Sequence, residues 1–312
     1  MRVVFMGTPD FAVNVLQGLI DNYDVVGVVS QPDKRVGRHL ELRNTPVKEL
    51  ALKYNIKVIQ PIKIREEYEE VLALEPDIII TCAYGQIIPS EIIHYPKYGC
   101  INVHASLLPK YRGGAPIHRS IINGDTKTGI TIMYMDEGMD TGDIISQDSI
   151  DILDTDNLEI VHDKLSVLGT KLLLDTLPSI LNGTNDRLKQ DESEVVYAYN
   201  IKREEEHIDF NKNSRDIYNL IRGLSPIPSS NAIIDNEEMK ILESKIGNSN
   251  YSGVCGEIVD ISKEGIIVKT LDGSIILTKI KPFGKKLMDA NSYVNGIGKD
   301  KLIGKVFRWK SI

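Results

Sequence analysis

The sequence predicts an α/β protein, with a doubly wound, mostly parallel, Rossmann-like sheet in its first part and a smaller β-barrel of the OB type in its last third. In the first half, short apolar runs alternate with stretches of helical period, which is typical of βαβ units. Beyond residue 207, short alternating runs are separated by turns that contain Gly, which is typical of small barrels.

Five apolar runs predict strands in the first half, at 3–6, 24–30, 57–59, 77–81 and 100–104. Between them, helices are predicted at 11–20, 46–54 and 65–74. A further strand is predicted at 128–135. We expect the next helix to have Asp156 as N-cap and Glu159 closing a capping box, and to run through Leu181 and stop at Gly183.

A polar and charged stretch at 184–206 predicts a linker, which divides the chain into a catalytic domain at 1–183 and a C-terminal domain at 207–312. In the second domain a helix is predicted at 214–222, followed by strands at 239–246, 256–261, 265–271 and 274–280. Ligands of doubly wound sheets bind beyond the carboxyl ends of the strands, so we expect the loops 82–88 and 102–109 to line one crevice.

Composition excludes several classes of protein. The three cysteines of the 312 residues are widely spaced and form no Cys-x-x-Cys pair, so neither a disulfide framework nor a zinc site is indicated. No apolar run reaches the roughly 20 residues of a membrane span. The first apolar run turns into a loop at Gly7, unlike the core of a signal peptide. We therefore expect a cytoplasmic protein without a bound metal.

The net charge of −7 is unevenly distributed. Residues 207–312 hold 16 Lys and Arg against 12 Asp and Glu, so that the remainder of the chain is strongly acidic. A basic C-terminal third suits contact with an RNA backbone, although an excess of this size also occurs on ordinary surfaces.

The residues with the clearest chemistry are Asn102, His104 and Asp140. Acyl transfer to an amine requires an oxyanion donor, a group that handles protons, and a group that orients and charges the imidazole. Strand alternation places Asn102 and His104 on one face. Taken singly, His104 is more typical of a buried core histidine and Asp140 of a turn. No second His stands at metal-ligand spacing, which favours proton chemistry over zinc.

Two motifs, Asn-x-His-x-Ser-Leu-Leu-Pro at 102–109 and Met-Asp-Thr-Gly-Asp at 139–143, resemble the signature of the 10-formyltetrahydrofolate-dependent formyltransferases. The longer string SLLPKYRGGAPIHRS at 106–120 resembles the members of that family that act on methionyl-tRNA. The similarity extends from MRVVFMGTPDF at 1–11 through AYGQIIP at 83–89 to the segment near Tyr197, and it weakens beyond Leu224.

The resemblance implies a formyltransferase fold and a monomeric enzyme of translation initiation, which uses 10-formyltetrahydrofolate as co-substrate and initiator methionyl-tRNA as acceptor. It implies Asn102, His104 and Asp140 as catalytic residues. The implied folate site consists of Ser106, Leu107, Leu108, Pro109 and the main chain of Gln86 and Ile88. Arg38 and Arg203 are the implied tRNA contacts. The loop that carries Arg38 continues His-Leu-Glu, where the family often has Gly-Lys-Lys.

Two alternatives remain. The same folate donor and catalytic residues could serve another amine, such as an amino sugar nucleotide or a purine precursor. A single-domain purine enzyme would lack residues 207–312, and a sugar-nucleotide enzyme would have less reason for their basic bias. The chain could also be a non-catalytic RNA-binding protein, against which the presence of Asn102, His104 and Asp140 argues.

Overall fold

The computed structural model describes residues 1–36, 40–247 and 251–309. The residues group into two compact units, which are considered separately. The first unit consists of Met1–Pro116, Lys127–Asp151 and His162–Tyr199, and the second of Ile117–Thr126, Ile152–Val161 and the chain from Asn200 onward.

The strands of the first unit are β1 (Arg2–Gly7), β2 (Asp24–Val29), β3 (Lys34–Val36), β4 (Glu41–Arg43), β5 (Val58–Ile59), β6 (Ile78–Cys82), β7 (Cys100–His104), β8 (Lys110–Arg112), β9 (Lys127–Tyr134), β10 (Ile144–Asp151) and β11 (Val196–Tyr197). Its helices are α1 (Phe11–Asn22), α2 (Pro46–Lys53), α3 (Glu69–Leu72), α4 (Ser90–Ile93) and the short 3₁₀ helix Glu192–Glu194. Two further helices, α5 (Pro116–Ile122) and α6 (Leu158–Asn182), contain residues of both units.

The main sheet has the order β10-β9-β7-β6-β1-β2-β5. Strands β7, β6, β1, β2 and β5 run parallel, whereas β9 and β10 are antiparallel additions at one edge. The central strands β1 and β6 are buried along almost their whole length, as apolar strands covered on both faces must be. The predicted doubly wound sheet is confirmed. Parallel β6 and β7 end at the same edge, so the loops after them emerge side by side.

The predicted helix at 65–74 is wrong in its length, since only Glu69–Leu72 is helical. The Lys63 amide donates to Glu67 Oε1 at 2.9 Å, and the Glu66 amide donates to Lys63 O at 2.9 Å. These bonds hold the preceding residues in a turn. Strands β8 and β10 were not predicted, because β8 is short and β10 carries polar residues on both faces.

The predicted N-cap of α6 is displaced by one residue. Asn157 Oδ1 accepts the Ile160 amide at 3.0 Å, which is the bond of an N-cap to the third helical residue. Asp156 does not cap the helix, because its Oδ2 accepts the Leu153 amide at 2.9 Å in the preceding turn. The helix ends as predicted, at Gly183 with φ of +67°, a conformation that favours glycine.

The second unit contains α7 (Ser214–Leu224), β12 (Ser230–Ile234), β13 (Glu237–Gly247), β14 (Ile258–Ile261), β15 (Ile266–Lys269), β16 (Ser274–Lys281), β17 (Met288–Asp289) and α8 (Ala290–Ile297). It also contains the 3₁₀ helices Arg203–Glu206 and Lys299–Lys301. The antiparallel sheet has the order β12-β13-β16-β15-β14, with β17 beside β16.

One C-terminal segment closes this sheet on itself. The Arg308 amide donates to Ile233 O in β12 at 2.8 Å, and the Phe307 amide donates to Gly256 O, just before β14, at 2.8 Å. The two edge strands are thus joined through 304–308. This joining removes exposed edges, as in small barrels.

We expect Asn157→Ala to lower the free energy of unfolding by about 1 kcal/mol, because the helix loses its side-chain cap. Glu159→Ala serves as the comparison, since Glu159 is exposed and its charge favours the N-terminus of the helix by less than a side-chain cap unless it closes a capping box. Urea denaturation followed by circular dichroism measures both variants. A larger shift of the midpoint in Glu159→Ala than in Asn157→Ala would contradict the assignment of the cap.

Candidate active site

Strand β7 positions the first two site residues. Asn102 and His104 are two residues apart and project from the same face of the strand, at its carboxyl end. Asn102 is half-buried, and His104 is only 6% exposed. In the neighbouring strands, Thr81 of β6 lies beside Asn102, and Thr131 of β9 lies beside His104.

The Asn102 amide is held in one orientation. The Thr81 hydroxyl donates to Asn102 Oδ1 at 2.9 Å, and Thr81 itself is buried. Because the oxygen of the amide faces Thr81, its NH₂ group points away and can donate to a ligand. Sequence reasoning missed this threonine, although a polar residue within the apolar run of β6 is a usable signal.

Each ring nitrogen of His104 faces an oxygen. Nε2–H donates to Tyr111 O at 2.9 Å, which fixes the neutral ring with its lone pair on Nδ1. Nδ1 lies 3.7 Å from Asp140 Oδ1. This distance exceeds a hydrogen bond, so the carboxylate acts on the ring through its charge. A doubly protonated ring can keep its bond to Tyr111 and present Nδ1–H beside the carboxylate.

Asp140 is held from several directions. Its Oδ2 accepts the Gly113 amide at 2.8 Å, while its main-chain oxygen accepts Gln190 Nε2 at 2.8 Å. The Gln190 amide also donates to Gly142 O at 2.9 Å. Asp140 has φ of +53°, which is uncommon for a residue with a side chain and is maintained here by these bonds. A constrained carboxylate at His104 is the arrangement that the predicted chemistry requires.

Gln190 is in turn held by Arg112, which is 1% exposed. Arg112 Nε donates to Gln190 Oε1 at 2.9 Å, and Arg112 Nη2 pairs with Glu192 at 2.7 Å. Glu192, and to a smaller extent Tyr197, raise the pKa of the Arg112 guanidinium. Two of these supporting residues, Gln190 and Glu192, come from the segment predicted as a linker, and sequence reasoning found neither them nor Arg112.

The residues predicted for the folate site, Ser106 to Pro109, form the turn directly after His104. The Ser106 hydroxyl donates to Lys110 O at 2.7 Å, and the Leu108 amide donates to Thr131 Oγ1 at 3.1 Å. Leu108 O accepts Gln147 Nε2 at 2.9 Å. Leu107 packs on Gly129, and Pro109 follows a cis peptide bond. The turn is held by its own hydrogen bonds and by bonds to Thr131 of β9 and Gln147 of β10.

The other predicted part of the folate site is the loop after β6. Gln86 uses its side chain to hold the neighbouring loop, since its Oε1 accepts the Ile64 amide at 2.9 Å. Ile88 is buried in the core by its side chain. Within the described residues, no main-chain hydrogen bond is formed by 86–88. Their amides and carbonyls are therefore available to a ligand.

Neither of the two residues predicted to contact tRNA, Arg203 and Arg38, belongs to the two loops described above. Arg203 lies in the second unit, where it pairs with Glu206 and Glu238. These carboxylates, Glu238 foremost, raise its pKa. Much of its charge is thus balanced within the protein. Arg38 lies outside the described residues, so the predicted contact through it stays a prediction.

The described residues offer few groups for metal-dependent chemistry or for a cysteine nucleophile. Over 1–36, 40–247 and 251–309, no three His, Cys, Asp or Glu side chains come together as metal ligands. Cys82 and Cys100 are buried, and burial raises the pKa of both thiols, which makes them poor nucleophiles. In the same described ranges, no helix is long and apolar enough to cross a membrane.

Comparison with known proteins matches both parts of the chain. The family model described as formyl transferase matches residues 1–177, and that of the formyl transferase C-terminal domain matches residues 200–298. The methionyl-tRNA formyltransferase of Bacillus subtilis (strain 168) is 52% identical over 299 residues, which cover 95% of this chain and 94% of the relative. That of Staphylococcus aureus (strain MW2) is 48% identical over 307 residues, covering 97% and 98%.

Solved structures show the same fold at lower identity. The N-formyltransferase from Helicobacter canadensis, in complex with folinic acid and dTDP-3-aminofucose, has a TM-score of 0.68 at 23% identity and covers 91% of this chain and 100% of that chain. The methionyl-tRNA formyltransferase from Clostridium thermocellum has a TM-score of 0.55 at 22% identity, covering 80% and 95%.

Proposed function

The chain belongs to the formyl transferase family, and we propose that it transfers the formyl group of 10-formyltetrahydrofolate to the free amine of methionine on initiator tRNA. The observation that carries this proposal is its 52% identity, over 95% of its length, to a curated methionyl-tRNA formyltransferase. The product is the formylated tRNA used in translation initiation, so the enzyme belongs to protein biosynthesis and one-carbon metabolism.

The reaction makes two demands on the site. The neutral amine forms a bond to the formyl carbon, the bond from this carbon to N10 of the folate breaks, the amine loses a proton and N10 gains one. Negative charge develops on the formyl oxygen during attack, and protons must move between the two nitrogens. Charge stabilisation and proton transfer are therefore both required.

The three site residues meet these demands. The NH₂ group of Asn102, turned away from Thr81, donates to the developing oxyanion. The imidazole of His104 adds a positive charge when doubly protonated, and Asp140 faces its Nδ1 from 3.7 Å. We assign to Asp140 the balancing of this charge and the acceptance of the amine proton, directly or through water.

We assign the folate donor to the space beyond the carboxyl ends of β6 and β7, where the loops after these strands emerge side by side. The turn at 106–109 is held by hydrogen bonds of Leu108 to Thr131 and Gln147, and three of its four residues are apolar, which suits a flat ring. The main-chain groups of Gln86 and Ile88 have the donors and acceptors that would read the edge of the pterin. We assign the pterin to this loop and to the opposite segment 136–143.

We assign the chemistry to residues 1–183, tRNA backbone contacts to 207–312, and the connection to 184–206, in a monomeric cytoplasmic enzyme. In the second unit, the loop 281–287 carries a cluster of exposed lysines. Lys281, Lys285 and Lys286 are exposed there, and Phe283 is 68% exposed beside them. Cations beside an exposed ring suit a nucleic acid, because phosphates supply affinity and rings offer stacking.

The evidence for the alternative acceptor, an amino sugar nucleotide, is weaker than the evidence for methionyl-tRNA. The N-formyltransferase bound to dTDP-3-aminofucose shares the fold, but at 23% identity, against 52% for the relative that acts on methionyl-tRNA. We therefore place this alternative second.

We expect His104→Ala to lower the rate of formyl transfer by roughly 10² to 10⁴-fold and Asn102→Ala by about 10² to 10³-fold, because both groups act on charge that develops during attack. The affinity for charged tRNA should change little. Single-turnover transfer from 10-formyltetrahydrofolate to methionyl initiator tRNA measures these rates. Near-normal rates in either variant would refute the assigned mechanism, while inactivity of the natural enzyme would refute the function.

We expect the double variant Lys285→Ala and Lys286→Ala to weaken tRNA binding and to lower the slope of log affinity against log salt by up to about 2, since each lost phosphate contact removes roughly one unit. The control replaces Lys245 and Lys279, which pair with Glu264 at 3.0 Å and Glu243 at 3.1 Å. Equal slopes in the natural, variant and control proteins would contradict the assignment of this loop.

The salt dependence of tRNA binding should be measured on the full chain, because residues after 200 form hydrogen bonds to residues 153–156 of the same unit. Arg222 Nη1 donates to Leu153 O at 3.0 Å and to Asp156 O at 3.1 Å, and the Tyr218 hydroxyl donates to Asp154 O at 2.7 Å. A truncation near Asn200 would remove these partners and would test folding together with tRNA binding.

A further inference from the structure

Two exposed tyrosines form a stacked pair next to the site. The rings of Tyr197 and Tyr199 have centroids 5.5 Å apart and planes inclined by 10°. Tyr197 is 48% exposed and Tyr199 is 59% exposed. Tyrosine is enriched where proteins contact their partners, because its ring is apolar and its hydroxyl is polar.

The local backbone explains why both rings face outward. The segment is extended, so Tyr197 and Tyr199 point to one side and Ala198, which is fully buried, points to the other. The Ala198 amide donates to Arg112 O at 2.7 Å, and its carbonyl accepts the Ala115 amide at 2.9 Å. Both tyrosines are therefore fixed on a rigid main chain.

This segment is continuous with the site. Gly113 lies in the chain between Arg112 and Ala115, which form the hydrogen bonds to Ala198. The Gly113 amide donates to Asp140 Oδ2 at 2.8 Å. A Cβ on Gly113 would lie 2.9 Å from Ala198 O, so the two chains are in direct contact. The segment that carries the rings therefore contacts the segment that positions Asp140.

Resting on the proposed function, we propose that the outer face of Tyr199 stacks on an unpaired base at the acceptor end of the tRNA. The methionine is esterified to the last nucleotide of a single-stranded end, whose bases are free to stack on aromatic rings. The ring of Tyr197 stacks on the other face of Tyr199. Glu192 raises the pKa of the Arg112 guanidinium most, and Tyr197 also raises it, so Tyr197 lies close to Arg112.

Stacking, and not charge, carries this contact. Lys110 is exposed on β8, beside β11 in the register, but Asp191, Glu192 and Glu194 are exposed close by in sequence. Carboxylates thus outnumber the lysine among these four residues, so this part of the surface does not favour phosphates. The contribution of Tyr199 should accordingly be insensitive to salt, unlike that of a lysine on the RNA backbone.

The test compares Tyr199→Leu with Tyr199→Phe and with Tyr54→Leu, a control at another exposed tyrosine, which is 48% exposed against 59% for Tyr199. We expect Tyr199→Leu to raise both the KM for charged tRNA and the Kd for tRNA by roughly 5- to 150-fold, the loss of one stacked base. The turnover at saturating tRNA, the affinity for tetrahydrofolate and the slope of affinity against salt should not change. Tyr199→Phe keeps the ring and should lose much less affinity than Tyr199→Leu, and Tyr54→Leu should bind tRNA like the natural enzyme.

Three results would overturn the proposal: natural KM and Kd in Tyr199→Leu, the same loss in Tyr199→Phe, or a flattened salt slope in Tyr199→Leu. These differ from failure of the proposed function. A natural enzyme that neither binds tRNA nor formylates it contradicts both ideas, whereas one that does both, beside an unimpaired Tyr199→Leu, contradicts only the stacking.

Discussion

The hydrogen bond from the Gly113 amide to Asp140 Oδ2 is the constraint on which the site depends. It belongs to a closed chain of contacts, because Gln190 donates to the main chain of Asp140 and accepts from the buried Arg112, the residue before Gly113. Three segments distant in sequence are thereby joined around one carboxylate. Only glycine suits position 113, where φ is +119° and the space for a Cβ is occupied by Ala198 O.

Rigidity on the opposite side comes from the sheet. His104 and Asn102 lie at the end of a strand that is paired on both sides, so their positions follow from the register of β6, β7 and β9. The conformational cost of ordering these groups is met when the protein folds and not when the substrate binds, which is the condition for effective stabilisation of a transition state. Strand β7 thus fixes Asn102 and His104, and the loop before β10 brings Asp140 to them.

Part of this could be predicted from the sequence. The apolar runs gave the central strands to within one or two residues, because burial on both faces leaves an unmistakable pattern. Strand alternation also placed Asn102 and His104 together. The approach of Asp140 to His104 was expected only from the resemblance, since no local rule brings together residues 36 positions apart.

The supporting residues could not be predicted, because their partners are remote. Arg112 and Gln190 are 78 residues apart, and each has an ordinary sequence context. Thr81 acts on Asn102 through strand pairing, which the sequence of either strand leaves unspecified. Asp156 and Asn157 can both serve as N-cap of α6 by residue type. Asn157 is the cap because the Asp156 carboxylate accepts the Leu153 amide in the preceding turn.

The choice of acceptor tests the account most directly. The natural enzyme, given 10-formyltetrahydrofolate and equal concentrations of methionyl initiator tRNA and a dTDP-linked amino sugar, should formylate the tRNA and leave the sugar essentially unmodified. The ratio of kcat/KM values should favour the tRNA by several orders of magnitude. Formylation of the sugar with equal or greater kcat/KM would contradict the account.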